Sequence, residues 1–196
     1  NKIERKILYE PEQNFERKMV IRENGFLKII GISFHSVPFN NPDFIKLNLF
    51  SALLGGIESS RLEKILVLEK NLCNEVSTFC EEKTDMGLFI FYAILNKNSD
   101  FDDVIEIFWK EVDKLLKGDI KEEEVQKVKN MLSSEFLYRM QSTSGRGQIV
   151  AHFELNNMFE KIFTYLDEVE GIKGEEIIET AKKYIKKEKA NYLILC

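Results

Sequence analysis

The sequence is poor in the residues that hydrolytic metal centres and disulfide frameworks require. Its 196 residues include only two histidines, His35 and His152, and three cysteines, none of them in a Cys-x-x-Cys spacing. A zinc site on a helix needs two imidazoles about one turn apart and a carboxylate. Because the histidines are far apart in the chain, we predict no metal site and no catalytic residue here. Cys73, Cys80 and Cys196 are interpreted as small buried apolar side chains.

Long apolar runs and basic stripes are also missing. The longest apolar run, residues 87–95, is far shorter than the roughly 20 residues that span a bilayer, so we predict no membrane partner. The 28 Lys and Arg are interspersed with 33 Asp and Glu, which gives a net charge of -5. This balance argues against nucleic acid as a ligand. No Gly-x-Ser-x-Gly turn is present, which argues against a serine nucleophile.

What the sequence does contain is enough apolar material for one packed domain. Hydrophobic residues make up 44% of the chain and include fifteen Phe, so residues 1–196 are expected to form a single domain. The chain opens on Asn1 in a charged stretch without a leader. We therefore expect a domain excised from a larger polypeptide, with residues 1–15 as the linker leading into it.

The first elements are predicted from alternation. Residues 16–23 and 26–37 each alternate in polarity as a half-covered strand does. Asn24-Gly25 between them is a strong hairpin signal, so these strands are predicted to pair with each other. In the second strand the apolar and polar side chains separate onto opposite faces. One face carries Ile30, Ile32 and Phe34, and the other carries Gly31, Ser33 and His35.

The remaining pattern predicts helices around a second pair of strands. A helix capped by Asn41 runs to Gly55-Gly56, and a capping box of Ser60 and Glu63 opens another. Strands are predicted at residues 75–81 and 87–96, the latter apolar on both faces and therefore central. Helices follow at 100–118, from 121 to 140, from a break at 142–145 to about 159, and near 177–185, before a strand at 191–195. This order predicts an α+β, two-layer domain with a mainly antiparallel sheet covered on one face by helices.

Several short motifs, in this order and spacing, resemble the second, non-zinc-binding domain of pitrilysin/insulinase-type zinc metallopeptidases, the group that includes mitochondrial processing peptidase. They are the run from Tyr9 to Arg17, Val37-Pro38-Phe39, Pro42-Asp43-Phe44, Leu53-Leu54-Gly55-Gly56, Ser59-Ser60-Arg61-Leu62, the run from Leu66 to Leu72, Gly87-Leu88-Phe89, and the run from Ile120 to Val125. Lys121 and Lys173 depart from the family pattern, because Ser or Thr usually caps the helices there.

The resemblance implies homologous domains paired into two halves that enclose a chamber for unfolded peptides. The resemblance also implies that zinc belongs to the preceding domain, in a His-x-x-Glu-His motif, where it would activate water. The implied role of this chain is to pack against that zinc domain and to wall the cavity, with other domains of the polypeptide and the peptide substrate as partners. Ser33 and His35 are the candidate cavity-facing residues.

The resemblance also indicates which half contains the chain. A domain of the opposite half commonly offers an Arg, and a Tyr seven residues later, to the substrate carbonyl. The matching positions are Val67 and Asn74, which lack those donors. This chain is therefore expected in the first half, directly after the zinc domain.

Two other interpretations stay open at this point. The parent could be a catalytically inactive homologue in which such domains serve scaffolding and assembly. The segment could also be a free-standing binding domain unrelated to proteolysis, because similarity of fold alone does not fix function. A His-x-x-Glu-His motif in the sequence before Asn1 would favour the peptidase over both.

Overall fold

Five strands form one sheet in the computed structural model, which describes residues 11, 13–23 and 27–196. The strands are β1 (Arg17–Ile21), β2 (Lys28–His35), β3 (Cys73–Cys80), β4 (Leu88–Leu95) and β5 (Asn191–Leu195). Their order across the sheet is β1-β5-β2-β4-β3. Every pair is antiparallel except β1 with β5, which is parallel. The predicted α+β class with a mainly antiparallel sheet is confirmed.

The predicted pairing of the first two strands is wrong. Strand β5 lies between β1 and β2, pairing with Arg17 to Ile21 on one side and with Ile29 to Ser33 on the other. The Asn24-Gly25 turn lies outside the described residues. An Asn-Gly dipeptide indicates only a local turn preference. Strand β5 pairs with both β1 and β2, and these long-range contacts determine the order of the strands.

The second strand pair follows the prediction. Strands β3 and β4 form an antiparallel hairpin, with a bulge between Cys73 and Glu75. Strand β4 is interior because β2 and β3 flank it. Its buried residues alternate with half-buried apolar ones, so its second face is apolar without being fully covered.

The helical layer begins with α1 (Asp43–Ser51), which continues as a π-helical turn at Ala52–Gly56. Asn41 Oδ1 accepts a hydrogen bond from the Asp43 backbone N–H at 2.8 Å, so Asn41 stabilises the start of α1 as predicted. The predicted capping box does not form. Ser60 Oγ is buried without a hydrogen bond before the π-helical segment Glu63–Glu69.

Four longer helices and a short one complete the layer. They are α2 (Phe101–Leu116), α3 (Glu122–Gln141), α4 (Thr143–Leu155), the short α5 (Tyr165–Gly171) and α6 (Gly174–Tyr184), with 3-10 turns at Phe159–Phe163 and Lys187–Lys189. The break predicted at 142–145 narrows to one residue, Ser142, whose Oγ accepts from the Gly145 N–H at 2.9 Å. In the described part of the chain, no helix combines the length and the apolar character needed to cross a membrane.

The lysines at two helix starts are compensated by glutamates. Lys121 cannot accept a hydrogen bond from the first turn of α3, but Glu124 Oε2 accepts one from the Lys121 N–H at 3.0 Å. Glu176 does the same for Lys173 before α6, also at 3.0 Å. Each glutamate supplies half of a capping box, which satisfies one N–H at the helix start.

The core lies between the sheet and the helices. The ring of Phe34 from β2 packs 5.8 Å from Trp109 and 6.2 Å from Phe89, measured between centroids. Trp109 from α2 also donates its indole N–H to the Tyr192 hydroxyl of β5 at 2.9 Å. Helix α2 therefore contacts several strands at once, and its aromatic side chains fix the helices on one face of the sheet.

Candidate functional site

The face of the sheet opposite the helices has no second layer among the described residues. Strand alternation divides β2 between the two faces, since Ile30, Ile32 and Phe34 are fully buried while their neighbours are half-exposed. Cross-strand register extends this division over the whole sheet. We call the uncovered side the open face. It includes Arg17, Met19, Ile29, Gly31, Ser33, His35, Phe79, Ile90, Tyr92 and Leu193.

The open face is largely apolar. Met19 is 61% exposed, Leu193 is 47% exposed and Phe79 is 41% exposed. Half-buried apolar residues of β4 continue this surface between them. An extended apolar area of this kind on a protein surface marks a place that contacts something else.

A groove with a volume of about 430 Å³ crosses the open face. Gly31 and Ser33 of β2 form part of its lining, together with the larger side chains of Met19, Leu193 and Ile90. We call this feature the Gly31 groove. Arg17, Lys18 and Asn191 also line it, so every charged residue in its described lining is basic.

Ser33 and His35 both lie on the open face, as their alternation with Phe34 requires. Ser33 lines the Gly31 groove, and its carbonyl oxygen accepts a hydrogen bond from Asn191 Nδ2 at 3.3 Å. His35 lies at the end of the same strand, where it lines a separate cavity of about 250 Å³ with Met86 and Tyr184. The structure therefore places them in neighbouring hollows rather than in one.

The histidines are held in unrelated surroundings. His152 belongs to α4, where its ring packs 4.3 Å from that of Phe39 and its Nε2 lies 3.3 Å from Glu82 Oε2. Residues 11, 13–23 and 27–196 contain no group of three or more His, Cys, Asp or Glu side chains that could hold a metal ion. The residues present therefore do not fit a hydrolytic zinc site.

The two positions that the sequence resemblance matches to a carbonyl-binding Arg and Tyr lie away from the groove. Val67 is partly buried against the core on the second π-helical segment. Asn74 is exposed at the bulge of edge strand β3. Neither residue is part of the lining of the Gly31 groove.

The glutamates that open α3 have a structural use that sequence patterns did not reveal. Glu124 accepts two hydrogen bonds from the Arg61 guanidinium, from Nε at 3.0 Å and from Nη2 at 2.8 Å. Arg61 Nη2 also donates to the Asp119 backbone oxygen at 2.6 Å. The hydrogen bond from Arg61 is the main reason that the pKa of Glu124 lies below its ordinary value. This fork-to-fork contact fixes the start of α3 to the segment before Glu63.

The cysteines separate into two environments. Cys73 and Cys80 are buried on β3, and burial raises the pKa of each thiol to about 12. Thiols with such values are inert at neutral pH. Cys196 is exposed, so its interpretation as a buried apolar side chain is wrong. It follows β5, whose ladder ends at the preceding residue.

Comparison with known proteins gives a consistent result. The sequence profile of the family described as "Peptidase M16 inactive domain" matches residues 2–132. A curated relative, the zinc protease PqqE of Helicobacter pylori, is 25% identical over 178 residues. The match covers 90% of this chain and 40% of the relative, so the chain spans less than half the length of that protein.

Solved structures show the same fold. A protease from Helicobacter pylori superposes with a TM-score of 0.94 at 24% identity, covering 100% of this chain and 48% of that chain. The inactive peptidase domain of a protein from Bordetella parapertussis, provisionally classified as a zinc protease, superposes with a TM-score of 0.78 at 19% identity. There the match covers 89% of this chain and 94% of the other, so that structure consists almost entirely of the matched domain.

Proposed function

Because the chain belongs to the peptidase M16 inactive-domain family, we propose that it is the non-catalytic domain of a zinc metalloendopeptidase. The resemblance to pitrilysin/insulinase-type peptidases is thereby confirmed. In this proposal a preceding domain of the same polypeptide binds the zinc ion and cleaves the peptide. The present domain packs against that zinc domain and forms part of the wall of an enclosed chamber.

The open face of the sheet is the observation that supports a chamber wall. Its exposed apolar side chains would be unfavourable in contact with bulk water alone. An unfolded peptide presents apolar side chains together with free backbone N–H and C=O groups. A surface that mixes Leu193 and Met19 with Ser33 and Asn191 can contact both kinds of group. Such contacts would retain many different sequences without cleaving them.

The groups on this face explain why the domain would bind and not cleave. Peptide hydrolysis needs an activated water molecule and donors placed to stabilise the oxyanion. The described lining of the Gly31 groove offers Ser33, Asn191, Arg17 and Lys18, but no carboxylate or imidazole that could act as a base. The chemistry therefore has to come from the zinc domain, and this domain orients or retains the substrate.

A crosslinking experiment tests the position of the open face. In the complete polypeptide carrying Cys196→Ser, a photoreactive group would be attached at Ser33→Cys or, as the matched control, at Lys110→Cys on the exposed side of α2. Illumination with an unfolded peptide should crosslink it at position 33, because that position faces the chamber, and should yield background at position 110. Equal labelling at both positions, or labelling at 110 only, would contradict the proposal.

Metal analysis separates the peptidase from the scaffold interpretation. We expect the complete polypeptide to bind one equivalent of zinc and to cleave unfolded peptides. The present chain alone should do neither, because its described residues do not fit a zinc site. Metal content by mass spectrometry and cleavage of a fluorogenic peptide are the measurements. A complete polypeptide without zinc and without cleavage would establish the catalytically inactive scaffold instead.

A further inference from the structure

Gly31 occupies a position where the fold itself does not require glycine. It lies in β2, the middle strand of the sheet, and its φ angle is not in the left-handed region. A Cβ atom built there would lie 3.9 Å from Leu193 Cβ and 4.0 Å from the Phe91 carbonyl oxygen, which are ordinary contact distances. Glycine weakens the interior of a strand. Since no neighbouring atom requires a glycine at position 31, the remaining structural reason for it is the close approach of another molecule.

The space above Gly31 has a definite shape. On the open face, Gly31 lies opposite Leu193 of β5 and Tyr92 of β4, and Met19 follows next to Leu193 on β1. The missing side chain therefore leaves a hollow between apolar neighbours. Together with the next row of side chains across the strands, which includes Ser33, it forms the groove of about 430 Å³. A hollow of this kind fits a bulky apolar side chain.

The next row of the sheet has a different chemistry. Ser33 lies opposite Asn191, and Asn191 lies opposite Arg17. Arg17 contacts the Phe15 ring, with Cζ 5.3 Å from its centroid, and no described carboxylate forms an ion pair with it. Its guanidinium can therefore still form two parallel hydrogen bonds with a carboxylate.

We propose that the Gly31 groove is a side-chain subsite for an extended peptide, an inference that rests on the proposed function and gives it a preferred substrate class. The hollow at Gly31 takes a bulky apolar side chain, and Arg17 binds an Asp or Glu side chain two residues away in the peptide. Adjacent rows on one face of a strand are about 6.6 Å apart, and side chains two residues apart in an extended peptide have the same spacing. Arg17 also lies two strands, about 9.6 Å, to the side of Gly31. Its long side chain can span most of that lateral distance, so the two elements can contact alternate side chains on one face of a peptide that crosses the sheet obliquely.

Binding measurements on the chain itself test this subsite. The probe is a fluorescein-labelled nine-residue peptide containing Asp-x-Leu among serines, followed by anisotropy at protein concentrations up to the millimolar range. The variant Gly31→Val fills the hollow, yet it should keep or raise the melting temperature because valine favours strands and meets no close atom. We expect Gly31→Val to weaken binding about tenfold, the loss corresponding to one apolar side chain left unburied.

The carboxylate contact is tested by exchanging charges. A peptide with Lys in place of Asp should bind about fivefold more weakly to the natural chain, as an exposed ion pair predicts. Arg17→Glu should reverse that preference. Absence of measurable peptide binding, equal binding by a folded Gly31→Val variant, or equal binding of the Asp and Lys peptides would each overturn the subsite. The crosslink at Ser33→Cys in the complete polypeptide does not depend on peptide sequence, so its failure would count against the proposed function instead.

Discussion

Replacing Gly145 by alanine should destabilise the domain by about 1 to 3 kcal/mol, the range typical of overpacking at a site that cannot relax. A Cβ atom at Gly145 would lie 1.9 Å from the Arg139 backbone oxygen, and no side-chain rotation can remove that clash. The same residue donates its N–H to Ser142 Oγ at 2.9 Å, which holds the turn between α3 and α4 closed. The new methyl group would force these two helices apart. Thermal unfolding followed by circular dichroism measures the effect.

Gly147 provides the matched control two residues further along α4. A Cβ atom at Gly147 would meet nothing within 4 Å. Gly147→Ala should therefore raise the free energy of unfolding by about 1 kcal/mol, because alanine is the better helix former. The two substitutions are chemically identical and should have opposite signs. If Gly145→Ala were as stable as the natural chain, the close approach of α4 to the end of α3 would be wrong.

Truncating Arg61 to alanine should lower the free energy of unfolding by about 2 kcal/mol, as expected for losing hydrogen bonds to a charged partner. The Arg61 side chain is only 14% exposed, and its removal leaves Glu124 and the Asp119 carbonyl without their shared donor. The comparison variant is Lys64→Ala, whose ion pair with Glu69 spans 3.8 Å between side chains that are 66% and 54% exposed. That substitution should change stability by less than about 0.5 kcal/mol. Denaturant unfolding of both variants at pH 7 gives the comparison.

The Arg61 contact should also have a pH signature. The pKa of Glu124 is lower in the folded chain than its ordinary value of 4.5, first because of the hydrogen bond from Arg61. A carboxyl group of this kind adds stability above its unfolded pKa and loses that contribution as the pH falls through its folded pKa. The difference between the natural chain and Arg61→Ala should therefore be constant near neutral pH and shrink below about pH 4.5. A difference independent of pH down to acid unfolding would show that Glu124 does not carry the contact.

The sequence predicted those parts of the fold that depend on local periodicity. The alternation of Ile30, Ile32 and Phe34 with their neighbours identified the buried face of β2, and the apolar run at 87–96 identified β4 as an interior strand. Two of the failures concern tertiary choices. The pairing of β1 with β5 depends on residues far away in the chain, and Ser60 is turned inward without the partner that its motif offers.

The Gly31 groove shows why the site was harder to predict than the fold. Sequence alternation put Gly31 on the same face as Ser33 and His35, and the structure agrees. To predict the groove, one must also know which strands flank β2. Its walls and its cationic end come from Leu193 and Arg17. The hairpin signal placed β1 directly beside β2 and gave no indication that β5, which carries Leu193, lies between them. The contact of Arg61 could not be predicted for the same reason, since its partner Glu124 belongs to a different helix.

The position of β5 has a consequence for how the chain acquires its shape during synthesis. Strand β5, the last of the described strands to be synthesised, lies between the first two of them, with β1 on one side and β2 on the other. Until it arrives, β1 has no hydrogen-bonding neighbour in the sheet and β2 has an open edge, so both expose unpaired backbone groups. Contacts between such distant segments form slowly, and open strand edges invite pairing with other chains. Nascent chains of this protein thus pass through a period of vulnerability to aggregation that ends only when residues 191–195 insert.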